Sequence, residues 1–253
     1  MSTIECSTLV RDKIDRQLGE CPFANINAKA TREWLEEVWC VCTNKGLEVE
    51  DIEIVSISAT FKVTTIGGEV FKVFLAADPV WAYLVKLYSY GVRVPNPIFR
   101  LHGLDPTYEA WWCFVEWLEG DCLRGVFTAV SNIETIPEKV WYSLGTLLAS
   151  IHSVKPNDNE NMYFTSIDIG WWNYVIDAND EVWLIDPKKI HVDHFPERWI
   201  YFNIFFHKHV TAEQKKAFTD GYMDGTHGER TEKGHDMLLA AKQFSERLHE
   251  KLA

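Results

Sequence analysis

The sequence predicts an α+β protein made of two unlike halves, on three observations. A helical period over residues 27–46 gives way to β-rich runs on either side of Ile66-Gly67-Gly68-Glu69; a second pair of apolar runs brackets residues 177–180; and everything from Pro196 onward returns to a helical pattern. The order reads helix, strands, helix, strands, helix, hairpin, helices. At 253 residues the chain is long enough to bury a substantial core, as one large domain or as two small lobes.

Taken in order, the start of the chain has no basic head followed by an unbroken apolar stretch, so no export signal is expected; it reads as a short amphipathic helix capped at Ser7 or Thr8. Ala30, Trp34, Leu35, Val38, Trp39 and Cys42 then share one face of a helix that ends at Gly46. IEIVSISATFKVTT and EVFKVFLA are rich in β-branched and aromatic residues and form the arms of a hairpin, with Lys72 on the second arm. Asp78-Pro79 supplies an N-cap and a first-turn proline for a helix towards Gly91, after which VRVPNP is extended. Strand-like pieces at 98–101 and 111–117 lead to Glu119-Gly120, where composition and period change. The boundary between an N-terminal lobe, 1–118, and a C-terminal lobe, 119–253, is placed there. Pro137 opens a helix with Val140, Leu144, Leu147, Leu148 and Ile151 on its apolar face, ending near His152-Ser153. Runs at 173–176 and 182–185, joined by Asp177-Ala178-Asn179-Asp180, form a second hairpin.

Composition excludes several classes of function. Lys and Arg number 25 against 37 Asp and Glu, and a net charge of −12 repels a polyphosphate backbone, which argues against nucleic acid as partner. The richest apolar stretches, 111–118 and 199–206, are far shorter than the ~20 residues of a spanning helix and are interrupted by Glu116 and Asn203, so no membrane span is expected. The six cysteines, at 6, 21, 40, 42, 113 and 122, show no pair of C-x-x-C knuckles. Reduced thiols and a cytoplasmic location are the expectation. Eleven Trp serve cores and ligand platforms equally well.

One constellation carries chemistry. Phosphoryl transfer from ATP needs a cation on the phosphates, hard oxygen ligands for a metal, and a carboxylate that orients and deprotonates the attacking hydroxyl. Lys72 lies in mid-strand; Asp168, bracketed by Ile167 and Ile169, is followed at i+5 by Asn173 in S-I-D-I-G-W-W-N; and Asp186 follows the apolar run Val182-Trp183-Leu184-Ile185. The pattern D-x-x-x-x-N, hairpin, apolar strand and Asp resembles the catalytic loop and metal-binding Asp of kinase-like enzymes. SLGTLLASIHSV resembles the helix before that loop, FVEWLEG the inter-lobe hinge, and YGVRVPNP the approach to the fourth small-lobe strand.

Between Lys72 and Pro187 the chain thus resembles the aminoglycoside-phosphotransferase-like branch of the protein-kinase-like superfamily of small-molecule kinases. The resemblance implies a two-lobed protein-kinase-like fold, with a strand-rich N-lobe and a helical C-lobe, and an ATP-dependent phosphotransferase with an alcohol group as acceptor. It further implies that Lys72 pairs with ATP phosphates, that Asp168 is the catalytic base, that Asn173 and Asp186 hold Mg²⁺, and that backbone groups of Glu116, Trp117 and Leu118 meet the adenine edge. The chain departs from the pattern in three places. Ser166 stands where the family has His; 54–60 contains no glycine where the phosphate loop is glycine-rich; and Val80 and Ala82 stand where a Glu partner for the Lys is expected, leaving Asp78 as the acid of that segment.

Two spacings bear on the acceptor. Aminoglycoside kinases carry extra helices between the positions of His152 and Asp168, where this chain has only the 15 residues 153–167, and Asp186 is followed only by P-K-K-I-H-V-D-H-F-P before the next helix. A small-molecule, sugar or lipid-linked hydroxyl is therefore expected rather than an aminoglycoside or a protein. Trp171 and Trp172 stand inside the implied catalytic loop, where one ring can face a cationic or sugar acceptor or both can pack in the core. Two rival readings stay open: a pseudokinase acting as a binding module, and a two-His-one-carboxylate metal enzyme built on His191 and Asp193 with His194 or His207.

Overall fold

A computed structural model describes residues 8–20, 28–56, 59–103, 110–122, 130–158, 161–166, 173–186, 190–194, 200, 204–225 and 231–252. The chain forms two compact units, Met1–Trp81 with Asn96–Trp117, and Ala82–Pro95 with Leu118–Ala253. The architecture is α+β, with a strand-rich first unit and a helical second unit.

The first unit is built on helices α1 (Thr8–Glu20) and α2 (Ala28–Asn44) and on an antiparallel five-stranded sheet. Its strands are β1 (Val49–Ser56), β2 (Thr60–Thr65), β3 (Val70–Ala77), β4 (Pro97–His102) and β5 (Ala110–Glu116), in the order β1-β2-β3-β5-β4. On α2, Thr31, Leu35, Val38, Val41 and Cys42 are buried, the stripe that a 3.6-residue period lays on one side of a helix. The apolar members of that stripe pack with Ile14 of α1 against Ile52, Phe61, Val63, Phe71, Val73, Trp112 and Phe114 of the sheet. Each of these large side chains contributes roughly 1.5–3 kcal/mol by leaving water. The opposite face carries Thr60, Lys72, Phe74, Cys113 and Val115, all buried as well. Burial pushes the thiols of Cys42 and Cys113 up to about 12, so both behave as small apolar residues.

The run IEIVSISATFKVTT is two strands rather than one arm. Ala59 has φ +52°, a left-handed conformation that reverses the chain, and Ser56 pairs with Thr60 across the reversal. Alternation continues on both sides of the bend, which is why the sequence reads as one strand.

The second unit is centred on α4 (Glu138–Ser153), whose Val140, Trp141, Leu144, Leu147, Leu148, Ala149 and Ile151 are buried. A helix apolar on nearly all sides needs cover on all sides. Much of it comes from α5 (Ala212–Gly225), which approaches so closely that a Cβ on Gly145 would stand 2.3 Å from the Phe218 carbonyl oxygen, and one on Gly221 would stand 2.1 Å from that of Tyr142. Only glycine fits at such a crossing. A capping box starts α5: the Gln214 N–H donates to Thr211 Oγ1 at 3.2 Å and the Thr211 N–H to Gln214 Oε1 at 3.0 Å. The last helix is α6 (Thr231–Leu252); no helix among the described residues is long and apolar enough to cross a membrane.

Segment 82–95, which completes α3 (Asp78–Ser89) and continues into the extended VRVP, belongs with the second unit for a visible reason. The Arg93 guanidinium donates to Ser143 Oγ, the Ser143 carbonyl and Thr146 Oγ1, each at 2.7 Å. Two small sheets complete the unit. One joins β6 (Asp121–Cys122), β8 (Tyr174–Ile176) and β9 (Val182–Leu184); the other pairs β7 (Tyr163–Ser166) with β10 (Ile190–Asp193). The β8–β9 hairpin follows the expected turn, with Asp180 at φ +63°. Strands β6, β7 and β10 were not foreseen.

Candidate active site

The β8–β9 hairpin positions two of the expected site residues. Tyr174 pairs with Leu184, and the next rung is closed by the Ile185 N–H donating to the Asn173 carbonyl at 2.7 Å. Asn173 is thereby fixed at the mouth of the hairpin, with Asp186 one residue beyond its rung. The hairpin is in turn fastened to α4: the Val182 N–H donates to Ser143 Oγ at 2.9 Å, the serine that also receives Arg93, and the Leu184 N–H donates to the Arg93 carbonyl at 3.1 Å. Burial lowers the pKa of Arg93, and Glu181 and Asp177 oppose that effect. A guanidinium stays charged under any such shift and can brace the hairpin permanently.

Asn173 is fully buried. Asp186 Oδ1 is buried too and has no hydrogen-bond partner among the described residues. An unanswered carboxylate oxygen out of water is costly, and such an atom calls for a cation or an ordered water. Among the described residues no three His, Cys, Asp or Glu side chains are grouped to hold a metal. An Asn–Asp pair is instead the sparse set of hard oxygens suited to Mg²⁺, which keeps several of its waters. The donor atoms present are of the kind that fits that ion.

In the first unit, Lys72 is only 8% exposed. Its register is informative: Lys72 of β3 lies directly opposite Lys62 of β2 and opposite Val115 of β5. Two lysines facing each other on one side of a sheet repel, unless an anion offsets them. Lys62 has Glu53 at 3.8 Å and stands with its ammonium 5.0 Å from the centroid of the Trp117 ring. Lys62 was missed in the sequence. The signal was available in the hairpin register, had the turn been read as a three-residue loop.

At the end of β5 the Glu116 N–H donates to the Asn96 carbonyl at 3.0 Å, and the Asn96 N–H donates to Glu116 Oε2 at 3.3 Å. The Glu116 N–H is thus committed, and an adenine edge would have to use other backbone groups of 116–118. Asp78, the fallback acid for Lys72, is paired with Arg100, whose guanidinium also lies over the Trp111 ring at 4.3 Å. That pairing takes Asp78 out of the role. Asp168, Trp171 and Trp172 lie outside the described residues.

The histidine-based metal reading has no site among the described residues. His191 Nε2 is 3.7 Å from Asp193 Oδ2, consistent with i and i+2 positions on one face of β10, but His194 Nδ1 is engaged with the Asn161 carbonyl at 2.9 Å. His207 lies beside His209, ring centroids 5.8 Å apart, and its pKa is lowered by burial first and then by the charges of His209, Lys215 and Lys208.

No family model matches the chain, and no curated protein matches it by sequence. Among solved structures it is similar to the spectinomycin phosphotransferase APH(9)-Ia in its AMP-bound complex, at a TM-score of 0.52 and 10% identity over 84% of this chain and 89% of that one. It is similar to the macrolide 2'-phosphotransferase MphH of Brachybacterium faecium, at 0.50 and 10% over 85% and 93%. WaaP, in complex with acyl carrier protein, gives 0.49 and 15% over 90% and 96%. The first two likenesses agree with the strand-rich and helical units described above: the fold of this chain is a protein-kinase-like α+β fold.

Proposed function

We propose that this chain is a cytoplasmic ATP-dependent phosphotransferase that moves the γ-phosphate to a hydroxyl of a small-molecule, sugar or lipid-linked acceptor. The observation that carries the reading is the hairpin mouth, where Asn173 and the unanswered Asp186 Oδ1 stand one rung apart in a chain of this fold. Bound Mg-ATP would supply the phosphoryl group and the cation that screens its charge. The chain's own residues do the rest. Asp168 would orient the acceptor hydroxyl and take its proton on the carboxylate. Asn173 and Asp186 would hold the metal by their oxygens, and Lys72, with Lys62 facing it, would hold the phosphates as point charges. Backbone groups of Glu116, Trp117 and Leu118 would receive the adenine edge, and Trp171 or Trp172 would flank the acceptor.

The test is a calorimetric titration of the full chain with ATP, with and without Mg²⁺, beside a phosphate-transfer screen over hydroxylated and cationic metabolites. Binding should require Mg²⁺, and transfer should appear with at least one acceptor. Asp168→Asn should lower turnover by about 10²- to 10⁴-fold while Mg-ATP affinity changes less than about tenfold; Asp186→Asn should weaken both. Nucleotide binding without transfer to any acceptor would instead establish a pseudokinase. No binding of Mg-ATP at millimolar concentration would end the reading.

A further inference from the structure

The second unit contains a cavity of about 390 Å³ formed by α5, α6 and the segment at Phe205, with Lys215, Lys216, Thr219, Lys242, Ser245 and Glu246 among its lining residues. That volume falls at the low end of the range of small-molecule sites. Its charge runs against that of the chain, which is −12 overall. Three lysines converge here and one carboxylate, Glu246, answers them.

The lysines differ in how they are satisfied. Lys216 is exposed and paired with Asp220, its neighbour at i+4. Lys215 is half-buried, and its ammonium donates to the Phe205 carbonyl at 3.1 Å; neither it nor Lys242 forms an ion pair with any described residue. Burial alone lowers the pKa of Lys215. Beside the cavity, burial first, and then the charges of His209, Lys215 and Lys208, lower the pKa of His207. The lining thus carries three ammonium groups against one carboxylate, and Lys215, partly removed from water, has only the Phe205 carbonyl as a partner among the described residues, where a charge without a counter-ion is costly. The floor is different in kind: Phe205, Ala212 and the methylene stems of the lysines give an apolar surface beside the charges.

We propose that this cavity binds a phosphate monoester, its dianionic head held between Lys215 and Lys242 and its organic part against Phe205. A phosphate ester carries nearly two negative charges at neutral pH, which matches the lining's excess of three ammonium groups over one carboxylate; a carboxylate ligand supplies only one. The proposal does not depend on the nucleotide reading, because every lining residue lies in the second unit and none belongs to the set assigned to ATP.

The experiment uses the full chain, at constant ionic strength, titrated calorimetrically with phenyl phosphate, with benzoate as the monoanionic counterpart and inorganic phosphate as the head alone. Phenyl phosphate should bind at least tenfold more tightly than either. Lys242→Glu, a change at an exposed position that leaves the fold intact, should weaken phenyl phosphate at least tenfold, and Lys215→Met should do the same. A Lys62→Met, Lys72→Met double variant should bind it unchanged, whether or not that variant still binds Mg-ATP. Equal binding by Lys242→Glu and the parent chain overturns the proposal, as does benzoate binding as tightly as phenyl phosphate. Loss of binding in the Lys62, Lys72 variant places the phosphate elsewhere and overturns it too.

Discussion

In the first unit a layer of large side chains, Phe61, Phe71, Trp112 and Phe114 among them, lies between the sheet and the helices α1 and α2. In the second, α4 and α5 meet backbone to backbone at Gly145 and Gly221. One interface therefore depends on what its side chains fill, and the other on side chains that are absent. The two should respond to substitution with opposite signs of volume: loss of atoms damages the sheet layer, and gain of a single methyl damages the helix crossing.

Trp112→Ala gives the largest expected effect. Trp112 is fully buried and contacts Phe61 with ring centroids 5.9 Å apart, so its truncation should cost about 3–5 kcal/mol. The indole N–H has no hydrogen-bond partner among the described residues, which places the cost towards the lower end, since the truncation also removes an unsatisfied donor. Amide hydrogen exchange resolves where the loss falls: protection should drop across β2, β3 and β5. Protection lost equally in α4 would contradict the contrast between the units.

Gly221→Ala should follow at about 3 kcal/mol, the upper end of ordinary overpacking, because the new Cβ meets a backbone carbonyl that no rotamer change can move. Here the exchange protection of α4 and α5 should fall and that of β3 should hold. A neutral result would mean that the two helices can slide apart without loss.

The same contrast explains what the sequence could reveal. Elements whose signal is local were legible: the stripe on α2, the Asp78-Pro79 start of α3, the Pro137 start of α4 and the Asp177–Asp180 turn. Strands β7 and β10 are four residues each and pair with partners distant along the chain, so no local period announces them. The register of the β2–β3 hairpin was legible only to within one residue. A four-residue turn at 66–69 would set Lys62 opposite Val73, whereas the loop of 66–68, with Gly68 at φ +82° and the Thr65 N–H donating to the Glu69 carbonyl at 2.9 Å, sets it opposite Lys72. Asn173 and Asp186 were singled out by a motif spacing, and the interval between them is occupied by the β8–β9 hairpin. The role of Ser143 in bracing their hairpin had no sequence signal at all, since a serine within a helix is usually a neutral choice.

A milder change tests the polar side of the helix crossing. His152 is 2% exposed at the end of α4, and its Nδ1 is 2.7 Å from the Tyr222 hydroxyl of α5. Tyr222→Phe keeps the ring, including its packing on Phe218, and removes that hydrogen bond, at a cost of about 1 kcal/mol. Denaturant unfolding followed by helical circular dichroism reads the change directly. A loss near that of Gly221→Ala would show that polar contacts, and not the absence of side chains, dominate the crossing.

The smallest expected effect concerns the β8–β9 turn and depends on pH. Asp177 accepts the N–H groups of Asn179 at 2.8 Å and Glu181 at 2.9 Å on one oxygen, and the Trp183 indole N–H at 3.1 Å on the other. Burial by itself pushes this carboxyl up, but the two backbone N–H groups, the indole and Arg93 together outweigh it, so the folded pKa lies below the ordinary aspartate value. A carboxylate with a depressed folded pKa binds its proton more weakly when folded, so its stabilisation is complete above the unfolded pKa and is lost as pH falls through the folded one. Asp177→Ala should therefore cost a constant few tenths of a kcal/mol to about 1 kcal/mol from neutrality down to about pH 5, because solvent screens so accessible a group. The difference between the two proteins should then shrink below about pH 4, where the parent carboxylate protonates. Parallel urea titrations at neutral and acidic pH measure this. A difference that grows towards acid would mean that Asp177 carries its proton more tightly when folded, and the turn would be braced by its backbone geometry, with Asp180 in the left-handed region, rather than by the carboxylate.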